Sequence, residues 1–259
     1  MSLLAELTAG SVADAEAREA VRPLAEVERA ALAQPAARDA LAFLAPADRV
    51  KVIAEVKRAS PSRGDLAEIP DPARQAGLYE TGGASAISVL TEQRRFKGSL
   101  DDLSAVKAAV GLPVLRKDFV ATPYQVWEAR AAGADLVLLI AAALEQPLLE
   151  RLYALVVELG MTPLVEAHTA DEVARTAQLG ARLIGVNARD LSTFELDRDL
   201  FGRLVDGIPS DAVKVAESAV LEPADVAHYR AAGADAVLIG EALVTGDPVL
   251  TLRSFLEAS

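Results

Sequence analysis

The chain has no cysteine and only two histidines among its 259 residues. The first absence removes disulfides, thiolate nucleophiles, Cys-ligated zinc and iron–sulfur clusters. The second removes a multi-histidine metal site. Aromatic residues make up only 4%. Basic residues are also short: Lys plus Arg is 26 against 38 for Asp plus Glu, a formal net charge of -12. A nucleic-acid binder needs a basic face to neutralise phosphates, so no nucleic-acid partner is expected. Long hydrophobic runs are missing too. The longest runs from Leu136 to Leu144, short of the roughly 20 residues that span a bilayer. The opening MSLLAELTAG lacks a basic segment and meets Glu6 early, unlike a signal peptide. A soluble, cytoplasmic chain with no membrane partner is expected.

What is present is a repeat. Residues 130–138 read RAAGADLVL and residues 230–238 read RAAGADAVL. Weaker copies run from Leu179 to Ile184 and from Gly83 to Val89. Each copy passes from a helical stretch through Gly-Ala into an apolar run. Glycine suits the residue after a helix because it accepts positive φ. The apolar run has the length and continuity of a strand buried on both faces.

Eight such runs can be placed: 51–56, 85–90, 113–116, 135–140, 162–166, 182–187, 212–216 and 235–239. Helical patterns separate them, among them Thr122 to Ala132, Gln146 to Leu159 and Pro223 to Ala232. Strand–helix alternation implies a parallel sheet. Eight units predict an α/β fold, a (β/α)8 TIM barrel, whose usual size is about 250 residues. A doubly wound open sheet is the alternative, but no G-x-G-x-x-G follows the first strand. Residues 1–48 form an Ala- and Glu-rich helical extension. It either plugs the bottom of the barrel or forms a flap near its top. No interdomain linker is visible, so 1–259 is read as a single domain.

In a barrel, polar residues at the C-terminal strand ends face the active site. Alternation puts Glu55 and Lys57 on one face with Ile53, Lys117 with Leu115, and Glu166 with Leu164. It likewise groups Asn187 and Arg189 with Gly185, and Glu217 with Val215. These charges converge on one mouth. A salt-bridged plug is the bland reading, yet buried ion pairs are a weak way to gain stability. The chain has six lysines against twenty arginines, and two of the six sit at strand ends. An ammonium can release a proton and a guanidinium effectively cannot, so Lys57 and Lys117 suggest proton donation. Glu55 and Glu166 are candidate acceptors. Ser218-Ala219 after strand 7 and Gly240-Glu241 after strand 8 lie where many barrels hold a phosphate. Ser60 to Gly64 is a polar loop after strand 1. Phe96 and Phe119 follow strands 2 and 3 and are candidates for an aromatic pocket wall. His168 either faces the mouth or sits on an exposed loop. No role is assigned to His228, and Trp127 reads as packing.

Six motifs extend this. AEVKRASPS at 54–62, SVLTE at 88–92 with Phe96, LRKDF at 115–119, LVE at 164–166, GVNARDL at 185–191 and AES at 216–218 resemble, in order, the signatures of indole-3-glycerol phosphate synthases. The resemblance covers residue 50 to the C-terminus and implies an enzyme of tryptophan biosynthesis. Its substrate would be the phosphorylated small molecule 1-(2-carboxyphenylamino)-1-deoxyribulose 5-phosphate. Ring closure, decarboxylation and dehydration would follow, without metal or organic cofactor, in a monomer. By position, Lys117 would be the general acid of ring closure and Glu166 would transfer protons during dehydration. Lys57 would hold an anionic group. Glu55, Asn187 and Glu217 would position groups, and Ser218 would support Glu217 or substrate hydroxyls. Arg189 and Ser60 would assist anion binding, and Phe96, Phe119 and Leu191 would wall the anthranilate ring. Two departures stand out. Ala219 replaces a glycine usual in the family, and the carboxylate of Glu241 must turn away for phosphate to bind at the Ala219, Gly240 and Glu241 backbone. An Amadori-type isomerase barrel would want a cysteine or aspartate pair; here the strand-end acids are glutamates. A non-enzymatic barrel would have lost them.

Overall fold

The structure, a computed structural model, describes residues 2–190 and 195–258. Eight parallel strands close into a barrel. They are β1 (Lys51–Val56), β2 (Ala86–Leu90), β3 (Val114–Lys117), β4 (Leu136–Ile140), β5 (Thr162–Ala167), β6 (Leu183–Asn187), β7 (Val213–Glu217) and β8 (Ala236–Ile239). Each pairs with the next, and β1 closes on β8 with Lys51 opposite Ala236. The open-sheet alternative is thereby removed. The expected strands fall within a residue or two of those observed. β3 and β7 each run one residue further, through Lys117 and Glu217.

Local chemistry explains the helices. α4 (Pro72–Gly82) starts with Pro72 in its first turn and the Asp71 carboxylate accepting from the Arg74 N–H. α6 (Pro123–Ala131) starts with a Thr122–Gln125 capping box. Both devices satisfy N–H groups that a helix start leaves unpaired. The conspicuous repeat also has a structural use. Asp135 accepts from the Val114 N–H and Asp235 from the Lys214 N–H, both at 2.9 Å. Each aspartate thus ties one strand to its predecessor.

Along β1, Val52, Ala54 and Val56 face the helices, whereas Ile53 faces the barrel interior. Leu115, Leu136, Leu164, Leu183 and Leu238 fill that interior. The extension does both things the sequence left open. α3 (Ala40–Leu44) inserts Ala40 and Leu44 into the interior cluster next to Ala86, at the start of β2. It closes the bottom. α1 (Leu3–Val21) lies across the opposite end, with Leu7 buried against the same cluster.

A buried polar network holds α1 there. Ser11 donates to Asp118 at 2.6 Å. Asp118 also accepts from Thr91 at 2.6 Å, Arg116 at 3.0 Å and the Phe119 N–H at 2.8 Å. Arg18 of α1 pairs with Glu128 on α6 at 2.6 Å. Arg116, fully buried, also donates to the Gln125 carbonyl at 2.6 Å. Burial alone would raise the Asp118 carboxyl, but Arg116 and the Ser11 and Thr91 hydroxyls hold it below the ordinary range. Among the described residues no helix is long and apolar enough to cross a membrane.

Candidate active site

The C-terminal strand ends open onto a cavity of about 400 Å³. Fourteen of the fifteen residues singled out in the sequence line it; Leu191 lies outside the described residues. Lys117 is central. Its Nζ is 3.4 Å from Glu166 Oε2 and 3.4 Å from Glu217 Oε2. Lys57 Nζ pairs with Glu55 Oε1 at 3.0 Å, and Ser88 donates to the other Glu55 oxygen at 3.2 Å. Ser218 donates to Asn187 Oδ1 at 2.8 Å, and the Arg189 N–H donates to the same oxygen at 3.0 Å. Ser218 therefore supports Asn187 and makes no hydrogen bond to Glu217.

Burial opposes a charge on Lys117, but Glu166, Glu217 and Glu55 outweigh it and push the ammonium above the usual lysine range. Lys117 rests fully protonated. The two carboxyls diverge. Burial and the neighbouring Glu166 charge push Glu217 well up. Glu166 suffers the same burial, yet Lys117 and then His168 bring it below its ordinary value. One carboxyl held low and one pushed up thus flank one ammonium, a separation made by environment. Among the described residues, neither Glu217 oxygen has a hydrogen-bond partner.

Close approach governs Gly240. A Cβ there would stand 2.7 Å from Glu55 Oε1 and 3.0 Å from Lys57 Nζ. This glycine does more than end a strand: it leaves room for the Glu55–Lys57 pair. Ser218 and Ala219 both have positive φ, 68° and 55°. Glu241 also lines the cavity. Its carboxylate pairs with Arg63 at 2.9 Å. Arg63 lies in the loop after β1, which the sequence showed as a polar turn and which forms a small antiparallel hairpin, Ala59–Ser60 with Gly64–Asp65.

Phe96 and Phe119 stand 6.1 Å apart at a 44° tilt on the apolar side. Leu3 and Leu7 of α1 complete that wall, together with Leu196. Sequence reasoning missed them as site residues. The spacing of Leu3 and Leu7, one helical turn, was the available signal. It also missed Arg63, whose only mark was its place in a polar loop. His168 does neither of the two things the sequence allowed: it is mostly buried behind the cavity wall, with Nε2 3.4 Å from Glu166 Oε1. Among the described residues no group of three or more His, Asp or Glu is placed to hold a metal.

The family indole-3-glycerol phosphate synthase matches residues 4–254. The chain belongs to this family. The indole-3-glycerol phosphate synthase of Leifsonia xyli subsp. xyli is 72% identical over 255 residues, covering 98% of each chain. That of Mycolicibacterium gilvum is 60% identical over 248 residues, covering 95% of this chain and 91% of the relative. The activity is accordingly that of an indole-3-glycerol phosphate synthase, a decarboxylating lyase of tryptophan biosynthesis. Among solved structures, a thiamine phosphate pyrophosphorylase from Pyrococcus furiosus superposes with a TM-score of 0.61 at 12% identity. It covers 81% of this chain and 94% of that one. An N-acetylmannosamine-6-phosphate 2-epimerase from Clostridium perfringens gives 0.59 at 18% identity, with coverage of 78% and 91%. These two likenesses concern the barrel alone.

Proposed function

We propose that the site takes 1-(2-carboxyphenylamino)-1-deoxyribulose 5-phosphate, with Lys117 as the general acid of ring closure. The observation that carries this is the Lys117 ammonium held 3.4 Å from each of Glu166 and Glu217 at the cavity floor. The anthranilate ring packs on Phe96, Phe119 and the α1 leucines. The phosphate lies at the Ser218–Ala219 and Gly240–Glu241 loops, near the cations of Arg63 and Arg189. These local cations counter an overall charge of -12.

The chemistry is then ordered. The aromatic carbon that bears the carboxylate attacks the ribulose ketone, pushed by the anilino nitrogen. Lys117 donates its proton to the ketone oxygen as the new C–C bond forms. Carbon dioxide leaves from the attacking ring carbon, and its bonding electrons restore the aromatic ring. Lys57, paired with Glu55, holds the carboxylate until it leaves. The hydroxyl made from the ketone then departs as water. Its proton comes from an acid at the mouth, Lys57 or Glu217, whose buried carboxyl keeps its proton to higher pH than an ordinary glutamate. Glu166, the ionised carboxylate, takes up the proton lost as the pyrrole double bond forms. Asn187, oriented by Ser218, holds substrate hydroxyls. The balance is substrate to indole-3-glycerol phosphate, carbon dioxide and water. Each step is a proton transfer or heterolysis, so the reading needs no metal or cofactor. It takes the enzyme to be monomeric and cytoplasmic, with no nucleic-acid or membrane partner.

The test is direct turnover of that substrate in the presence of EDTA, followed by indole fluorescence. Enzyme-dependent formation of indole-3-glycerol phosphate is expected. Lys117→Ala should lower kcat by about a thousandfold, within the range for a lost general acid, with a folded barrel by circular dichroism. Near-normal kcat in that variant would remove Lys117 from the chemistry.

A further inference from the structure

His168 lies outside the cavity lining but directly behind one of its carboxylates. It follows the last residue of β5, and its ring fills the space between Glu166 and α8 (Ala170–Gln178). Nε2 is 3.4 Å from Glu166 Oε1, and Nδ1 is 3.5 Å from Glu172 Oε2. That same Glu172 oxygen accepts the backbone N–H of His168 at 2.7 Å. Glu172 is in turn placed by the helix start, where its own N–H donates to the Thr169 hydroxyl at 3.2 Å. The ring is 13% exposed and the Glu166 side chain 1%. A row of alternating acidic and basic groups therefore runs Glu172, His168, Glu166, Lys117, Glu217, from the helix to the cavity floor.

We propose that His168 is a positioning residue of this enzyme: backed by Glu172, it holds Glu166 ionised and aimed into the mouth. The proposal rests on the reading of Glu166 as the proton acceptor. The reasoning concerns what Lys117 cannot do alone. Its ammonium is shared by two carboxyl groups and, in the proposed mechanism, spends its proton on the substrate ketone. Once that proton has moved, Glu166 keeps a cation only if a second one stands on its other oxygen. His168 is that second cation. The titratable groups that face it are Glu172 from α8, Glu166 from its own strand and Lys117 from β3. Burial opposes protonation of the imidazole, and Lys117 adds to that. The neighbouring Glu172 and Glu166 carboxylates exceed both, so His168 gains its proton at a higher pH than an ordinary histidine.

The experiment is the pH profile of kcat in His168→Gln and Glu172→Gln, with KM measured at each pH. Gln keeps a hydrogen-bond donor at position 168 and removes the titratable charge. The acid limb of kcat, where Glu166 becomes protonated, should move up by about one pH unit in His168→Gln, the scale of one close charge in a partly screened site. Glu172→Gln, which leaves the ring but weakens its charge, should move it the same way by less. KM should stay within about twofold in both, since neither residue lines the cavity. A purely structural role would lower kcat evenly across pH or lower the folded fraction, and would leave the limb where it is. An unmoved limb in both variants overturns the proposal. Glu166→Gln separates the two claims. If it retains kcat, Glu166 is no proton acceptor and the underlying reading fails. If it abolishes kcat while the histidine variant keeps the parent profile, only the role of His168 fails.

Discussion

Glu217 occupies the space that a side chain at Gly185 would need: a Cβ there would lie 2.1 Å from Glu217 Oε1 and 3.1 Å from its Cδ. Gly185 is on β6 and Glu217 ends β7, so the glycine is what lets the carboxyl lie over the neighbouring strand, toward Lys117.

Gly185→Ala should therefore act on catalysis rather than folding. The obstructed group is the far end of a flexible side chain, which can swing aside at small cost. Swinging aside takes it away from Lys117. Misplacement of a reacting group by about 1 Å can cost about a hundredfold in rate. We expect kcat to fall by about that factor, with a melting temperature within a few degrees of the parent. A variant with unchanged kcat would mean that Glu217 works from a different place.

Glu217 also makes a prediction about pH and stability. Its folded-state pKa lies well above the ordinary 4.5, through burial and the charge of Glu166. A raised pKa means that the folded state holds a proton which the unfolded chain releases. The stabilising contribution is complete below the unfolded value and is lost as pH rises through the folded one. Glu217→Gln stays neutral at every pH. The melting temperature of the variant should gain on the parent as pH rises above about 4.5, then keep a constant lead once the folded pKa is passed. Activity should be lost throughout. Parallel melting curves from acid to alkaline pH would show that this carboxyl titrates normally.

Ala219 offers a gain instead of a loss. Its φ of 55° is in the left-handed region, where an L-residue with a Cβ costs about 1–2 kcal/mol. Glycine removes that strain but adds freedom to the unfolded chain, worth about 0.4–1 kcal/mol. The balance favours Ala219→Gly by about 0.5–1 kcal/mol. In a chain of this size that raises the melting temperature by about 1–4 °C. A scanning calorimetry trace that moves down, or not at all, would show the loop to be unstrained as it stands.

Much of this site was legible because strand alternation is a strict rule. Once Leu115 or Val215 is inward, Lys117 or Glu217 must be inward too, and the barrel collects them at one mouth. The same rule hid what lies on the other face. Arg116 and Asp118 flank Lys117 in sequence and spend their side chains on the buried network beneath α1, although Asp118 also borders the cavity, so reading for the mouth passed over them. Their partners, Ser11, Thr91 and Gln125, are up to 107 residues distant in sequence from Asp118, and no local pattern announces such contacts. The extension was ambiguous for a related reason. Its leucines say that a face is buried, not against which end of the barrel, and it turned out to use both. The pairing of Glu241 with Arg63 was not legible because it depends on a loop whose hairpin has no sequence periodicity.

The buried contact between α1 and β3 can be tested through Ser11. Its hydroxyl donates to Asp118 at 2.6 Å, and Asp118 is followed directly by Phe119 of the cavity wall. Hydrogen bonds to a charged group contribute about 1.5–3 kcal/mol. Ser11→Ala leaves Asp118 with Arg116, Thr91 and the Phe119 N–H, so the carboxylate stays compensated and the barrel stays folded. What loosens is the seat of α1, which carries Leu3 and Leu7 to the cavity. These leucines touch the bound ring and stand apart from the proton-transfer groups. The loss should therefore appear as uniform binding, with KM up by about three- to tenfold and kcat nearly unchanged. Hydrogen exchange should speed up along α1 and stay constant in β3. A fall in kcat at constant KM would mean instead that Ser11 governs Lys117 through Asp118, and that α1 is part of the acid–base machinery rather than of the substrate pocket.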